Sequence, residues 1–360
     1  MSSNGAGKLL SEYRKGLRPK LDERNRLIIP TLDIIVALKP KWVIFENVPN
    51  MKNTVILDEN DRLVNIIDYI KERLGNEYVG NAEVVDAADY GIPQNRKRLI
   101  TIFTRSEIGK EFFELTNSFI PETTHSQNGE NGKKKWVTLR NAIFGLPELD
   151  ARKGKEKNEA FHELHFVNIL DDKKYTWVKY AAEGDSAFNN QCINPECGFQ
   201  GNRRHGATID KKDGINKYNK DTPLYCEKCG SLLPRPYTID KKTGEKRIMK
   251  GYVSAYKRMK WDEPASTLTQ NFQYACSDNK LHPEQNRVLS IYEATIIQSI
   301  SDYDYSFKIN GKLAKTGVIR DIIGESVPPK LIDIICRNIL LIESGEHKKL
   351  KNAYKQLSLL

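Results

Sequence analysis

Apolar positions recur at helical spacing over residues 27–39 and stop at Pro40, which predicts an amphipathic helix ended by proline. Residues 42–45, Trp-Val-Ile-Phe, follow as an unbroken apolar run of strand length. Over residues 61–74 the pattern turns helical again, with Leu63, Ile66, Ile67, Ile70 and Leu74 on one face. Residues 78–85 and 99–104 read as strands. Strand–helix–strand alternation with connections of this length predicts an α/β domain around a parallel sheet.

The periodicity then fades. Residues 106–259 are irregular, rich in turn signals, and hold four of the six cysteines. From residue 260 helical patterning returns. Ser290 with Glu293 three positions later is a capping-box signature for a helix through Ile300. Pro328 and Pro329 suit the first turn of a helix over residues 331–341. Divisions at 1–105, 106–259 and 260–360 therefore describe one domain interrupted by another.

Composition narrows the class. The 360 residues are 39% hydrophobic and 29% charged, with a mean hydropathy of −0.58, as a globular chain should be. No run approaches the ~18 apolar residues of a membrane span, and residues 1–10 are small and polar with no leader-like stretch. Six cysteines are too few for a disulfide scaffold and point to a reducing compartment. The net charge of +10 is localised: residues 200–260 hold 16 Lys+Arg against 6 Asp+Glu, and the remainder holds 41 of each sign. A charge run is often only a solvated face, but this one is interleaved with Tyr218, Tyr225, Tyr237, Tyr252 and Tyr256, which favours a polyanion such as nucleic acid.

Three short motifs carry candidate chemistry. Phe45-Glu46-Asn47-Val48-Pro49 sets a carboxylate at the end of an apolar strand, where α/β sheets bind ligands. Glu46 there serves as a proton donor or acceptor, or simply pairs with a cation. Gln94, Arg96 and Arg98 alternate along an extended segment, three donors suited to a phosphate, a ribose or a base edge, or to guarding an edge strand. Gly324-Glu325-Ser326-Val327-Pro328-Pro329 is a tight turn into a helix.

In this order the motifs resemble those of the bacterial DNA cytosine-5 methyltransferases. Glu46-Asn47-Val48 is similar to the family's Glu-Asn-Val, and Asp89 to Pro93 followed by Gln94, Arg96 and Arg98 to its Asp-Tyr-Gly-(Ile/Val)-Pro and Gln-x-Arg-x-Arg. Arg287, Leu289, Ser290, Glu293 and Gln298 resemble its Arg-x-Leu-(Thr/Ser) helix, and the Gly324 segment its terminal Gly-Asn-(Ala/Ser)-Val-Pro-Pro, with Glu325 in place of Asn. Residues 261–269 resemble the segment that returns from the recognition region. The resemblance implies methyl transfer from S-adenosylmethionine to C5 of a flipped cytosine in double-stranded DNA, within the bacterial cytoplasm. It places Glu46 on the N3/N4 edge of the base, Arg96 on its O2 side and Arg98 as a brace. Asn47, Gly324, Ser326 and Val327 fall at the cofactor. Methylation of tRNA by a related branch suits the long basic insertion less well.

Two family features are missing. None of the six cysteines follows a proline or precedes Glu46, so the Pro-Cys nucleophile is absent, as is the Phe-x-Gly-x-Gly cofactor loop. Residues 1–8, 14–16 and 22–25 resemble the stretch just after the Pro-Cys loop. The expectation is an incomplete Rossmann-like methyltransferase domain, starting after the nucleophile and active only with an N-terminal half on a separate polypeptide. Its bared apolar strand should then make it aggregate alone. A catalytically dead DNA-recognition subunit is the alternative.

Within the insertion, Cys192-x4-Cys197-Gly and Cys226-x2-Cys229-Gly form two close pairs. Four thiolates so spaced fit one tetrahedral structural Zn²⁺ stapling a target-recognition domain. Free thiols or redox pairs are the plainer reading. His205 lies between the pairs as a substitute ligand, and Cys276 and Cys336 read as ordinary buried thiols.

Overall fold

The structure, a computed structural model, describes residues 23–209, 216–218 and 221–346. The resemblances at residues 1–8 and 14–16 lie outside the described residues, as does Asp22 of that at 22–25. In chain order the elements used below are α1 (Ile28–Leu38), β1 (Trp42–Asn47), β2 (Val55–Leu57), β3 (Leu63–Asn65), α2 (Ile66–Leu74), β4 (Val79–Asp86), β5 (Gln94–Asn95), β6 (Lys97–Thr104), α3 (Asp172–Lys179), β7 (Tyr237–Ile239), β8 (Lys246–Ile248), β9 (Ala265–Ser266), α4 (Ile291–Ile297), α5 (Thr316–Glu325) and α6 (Pro329–Glu343). Among the described residues no helix is long and apolar enough to cross a membrane.

The chain packs as two compact units. Among the described residues, one comprises 23–90, 96–126 and 331–346, the other 91–95 and those within 127–330. These limits differ from the divisions at 105 and 259 because residues of the 260–330 stretch, among them Leu268, Leu289, Ile297 and Ile323, share a core with Leu139, Ile143 and Leu164.

In the first unit the sheet order is β1-β6-β4, with β6 antiparallel to both neighbours. The expected parallel sheet is thus corrected. Only residues 87–96 join β4 to β6, fewer than the roughly dozen that a helical crossover needs, so the chain turns straight back. The longer link from β1 to β4 does carry a helix, and those two strands run the same way on either side of β6. Apolar residues of α1, α2, β1 and β6, including Leu32, Ile66, Ile70, Val43 and Phe103, form the core. Leu63 is not on the α2 face: it pairs with Leu57 in the β2–β3 hairpin, because Asn65 caps the helix by accepting from the Ile67 and Asp68 amides. The α6 helix packs Leu331, Ile335, Ile339 and Ile342 inward, and its Glu343 accepts from Trp42 Nε1 at 2.9 Å. Cys336 lies off that stripe and is exposed, and Cys276 sits exposed in a loop, so neither is the buried thiol expected.

In the second unit the predicted capping box is present. Ser290 Oγ accepts from the Glu293 amide and Glu293 Oε2 from the Ser290 amide, at 3.1 and 2.7 Å, though α4 stops at Ile297 rather than Ile300. Arg287 donates to both oxygens of Glu293 at 2.7 Å, and both side chains are fully buried. Gly324 lies where a Cβ would meet the Gln270 amide nitrogen at 2.2 Å, so only glycine lets α5 approach the Thr269–Gln270 backbone.

Candidate functional site

Glu46 faces Ile100 across the β1–β6 ladder, and Arg98 lies two residues before Ile100 on the same face. That diagonal brings Arg98 Nε to 2.6 Å from Glu46 Oε1, while Arg98 Nη1 donates to the Lys97 carbonyl at 2.8 Å. Both side chains are largely covered, 28% exposed for Glu46 and 12% for Arg98. Arg96 is fully buried. Burial, then repulsion from Arg98, lowers its guanidinium to about 9, with Glu46 opposing. Asp86, which sequence reasoning missed, anchors the turn by accepting from the Arg96 and Ala88 amides at 2.9 and 3.3 Å, and burial pushes its carboxyl upward. An Asp ten residues before an Arg carries no sequence signal of this role. Beside Glu46 and Asn47 is a mostly apolar cleft of about 210 Å³, lined also by Phe45, Met51, Ile67 and Leu99.

Gln94 does not share the face of the two arginines. It belongs to the second unit, where β5 pairs parallel with β9. Its amide donates to Gln298 Oε1 at 2.7 Å and its Oε1 accepts from the Leu268 amide at 2.9 Å. Gln298 in turn donates to Ser326 O and Oγ at 2.7 and 2.9 Å, and Ser326 Oγ donates to the Ile323 carbonyl. Gln94 and Ser326 are thus ends of one internal hydrogen-bonded chain. Val327 is half-buried beside it. Asn47, in the first unit, accepts from the Val48 amide through Oδ1 at 2.9 Å.

The four insertion cysteines converge. Their Sγ atoms lie within 4.8 Å of one another, with Cys192–Cys229 at 3.7 Å and Cys197–Cys226 at 3.9 Å. Zinc–sulfur bonds of ~2.3 Å in a tetrahedron separate the sulfurs by about 3.8 Å, so the donor set matches that ion. Each sulfur accepts from the amide two residues on: Asn194 to Cys192, Phe199 to Cys197, Lys228 to Cys226 and Ser231 to Cys229. Gly198 and Gly230, at φ of 52° and 71°, allow those turns. Hydrogen bonds from Ser231 draw the Cys229 thiol down to about 6. His205 is committed elsewhere, with Nδ1 2.6 Å from Thr222 Oγ1, Nε2 3.0 Å from the Gly251 carbonyl, and its ring stacked on Phe188.

Two arginines counted in the basic stretch are not on the surface. Arg235 is buried and donates to the Asn190, Arg203 and Pro223 carbonyls, and Arg258 to those of Ala181, Val178 and His282. Both tie irregular loops together where regular ladders are lacking.

Comparison with known proteins agrees with these motifs. A family model for C-5 cytosine-specific DNA methylases matches residues 10–341. The type II methyltransferase M1.HgaI of Avibacterium volantium is 28% identical over 327 residues, covering 88% of this chain and 71% of that protein. The type II methyltransferase M.NgoFVII of Neisseria gonorrhoeae is 26% identical, over 91% of this chain and 66% of its own length. The type II methylase M.HgiDII of Herpetosiphon aurantiacus is 24% identical, over 94% and 75%. With its motifs in order and a match spanning nearly all its length, this chain belongs to the C-5 cytosine-specific DNA methylase family.

Proposed function

We propose that this chain is the base-holding and DNA-recognition part of a DNA cytosine-5 methyltransferase of a bacterial restriction–modification system, and that methyl transfer needs a thiolate from residues beyond these 360. Cytosine C5 becomes nucleophilic only once a thiolate has added to C6. No cysteine in this sequence follows a proline, and the four clustered thiols suit a metal instead. A Pro-Cys segment outside this sequence would supply the missing group.

The single observation that carries this reading is the Glu46–Arg98 pair beside buried Arg96. Arg98 fixes the carboxylate at the end of β1, so that Glu46 holds N3 and the exocyclic amine of a flipped cytosine and delivers a proton to N3 as the C6 adduct forms. Arg96, charged and desolvated, holds the O2 side. S-adenosylmethionine supplies the methyl group in this family. The residues here do not complete a site for it: the hydroxyl of Ser326 is engaged by Gln298 and Ile323, and the space beside Gly324 is filled by backbone. The glycine-rich loop that binds it in the family is absent from this sequence as well.

The cysteine cluster holds one structural Zn²⁺ through Cys192, Cys197, Cys226 and Cys229. Four thiolates close the coordination sphere and leave no catalytic position. Such a site suits the reducing bacterial cytoplasm. The insertion it staples reads double-stranded DNA.

The test is methylation of duplex DNA by the chain joined with a Pro-Cys-bearing family segment. Glu46→Gln should abolish methyl transfer while duplex binding persists. Methylation undiminished by that change would overturn the assignment. A zinc-containing DNA-binding subunit without catalysis is the second reading, favoured by the metal-like cluster in the same unit as the basic stretch. Duplex binding with no methylation under any complement would select it.

A further inference from the structure

The β7–β8 hairpin and its turn carry Lys241, Lys242, Lys246 and Arg247 against Asp240 and Glu245. Its strands pair Tyr237 with Ile248 and Ile239 with Lys246. At the base, Tyr237, Ile248 and Met249 pack on a core that includes Trp177 of α3, and the Trp177 and Tyr237 rings meet edge-on at 5.5 Å. Beyond the base the ribbon is open: residues 241–247 are all exposed, and Ile239 is half exposed.

The tip is held in shape although it projects. Asp240 Oδ1 accepts from the Lys242 and Thr243 amides at 2.9 and 3.2 Å, and the Asp240 amide donates to the Glu245 carbonyl at 2.9 Å. Gly244 takes the left-handed turn position at φ 72°. Arg247 clamps Asp240 at 3.1 Å and Glu245 at 3.5 Å. The acids of the tip are thereby used within it, and Lys241 and Lys242 stand on a prearranged scaffold. At the base, Lys173 of α3 and Lys246 both lie over the Tyr237 ring, at 5.4 and 5.3 Å, which aligns α3 with the ribbon as one cationic face.

We propose that this ribbon enters the major groove of double-stranded DNA, with Lys241 and Lys242 at the phosphates of the groove walls and Lys173 on the flanking backbone. A two-stranded ribbon fits the ~12 Å major groove of B-form DNA, whereas the deep, narrow groove of A-form RNA excludes it. A tip already ordered loses little entropy on docking. The inference rests on the DNA-methyltransferase reading and adds the element that reads the duplex.

The test is fluorescence anisotropy of the full, zinc-loaded chain with a short mixed-sequence DNA duplex, as salt rises from about 50 to about 200 mM. Lys241→Ala with Lys242→Ala should weaken binding at low salt and flatten the slope of log K against log[salt] by about 1.8, or about 0.9 per phosphate contact. Lys308→Ala with Lys312→Ala, on another exposed hairpin of the same unit, should leave the slope unchanged. Thermal unfolding of both pairs should match the parent chain. Equal slopes for parent and ribbon variant, or equal losses in the two pairs, would overturn the assignment. So would an A-form RNA duplex that binds as tightly and responds alike. A parent chain that binds no duplex DNA would sink the underlying DNA reading as well, which separates the two failures.

Discussion

Arg98 reaches diagonally across the β1–β6 ladder to place its Nε 2.6 Å from Glu46 Oε1, which makes the arginine a positioning residue for the carboxylate. A charge-assisted hydrogen bond of this kind contributes about 1.5–3 kcal/mol, a factor of ~10–150. Arg98→Met should therefore lower kcat/KM of the complemented enzyme by one to two orders of magnitude, mainly through kcat, with duplex affinity kept. Arg98→Lys should recover only part, since an ammonium lacks the planar fork. Steady-state methylation kinetics check both, and an unaltered Arg98→Met enzyme would remove the arginine from this role.

Metal removal gives a second outcome. The chain should carry one zinc per molecule by elemental analysis. Cys197→Ser or prolonged chelation should release it and lower the unfolding temperature, because among the described residues the apolar cluster at the sulfurs adds just Leu233 and Phe199 to the cysteines themselves. Cobalt loading should yield thiolate charge-transfer absorption. Metal content well below one per chain, with stability indifferent to chelator, would contradict the site.

Much of the fold was legible in the sequence. The α1, β1, β4 and β6 elements follow from apolar periodicity, and the α4 start follows from the Ser290–Glu293 spacing. Strand direction did not follow, because the short return after β4 is set by the turn around Asp86 rather than by any periodic signal. Grouping Gln94 with Arg96 and Arg98 failed for a related reason: strand alternation breaks between β5 and β6, which no side-chain pattern marks. The strand-end position of Glu46 and the two close cysteine pairs were legible because both rest on local spacing. Buried Arg235 and Arg258 were not, since a basic stretch looks solvated until its carbonyl partners are known.

Acid should destabilise the second unit in two steps. Burial opposes ionisation of Glu293, but Arg287 overcomes it and holds the carboxyl at about 2. Its contribution is complete above the unfolded value of ~4.3 and is lost as pH falls toward 2. Burial, then Arg287, holds His282 neutral down to about 3, where its Nδ1 accepts from the Glu284 and Gln285 amides. An unfolded His takes its proton near pH ~6.5, so stability falls from there downward. Denaturation midpoints should decline from pH 6.5 and drop again below 4.3. Glu293→Gln should erase the second step and cost about 3–5 kcal/mol at neutral pH by leaving Arg287 buried and unpaired. A flat profile between pH 7 and 4 would contradict the His282 environment.

Edge exposure yields the prediction on association. Among the described residues β1 is an outer strand of its sheet, and Ile44 on it is 37% exposed. The isolated chain should self-associate with concentration, and Ile44→Lys should suppress this, as charges on edge strands do. Light scattering across a dilution series decides it: a parent chain monodisperse at all concentrations would contradict the role given to the strand.

The central claim, that these residues hold the base while the nucleophile comes from elsewhere, is tested most directly by transfer of labelled methyl from S-adenosylmethionine to duplex DNA. The account predicts no 5-methylcytosine with the 360-residue chain alone, product when a Pro-Cys-bearing segment with the glycine-rich loop is added, and none when that segment's cysteine is changed to serine. Methylation by the chain alone would contradict it.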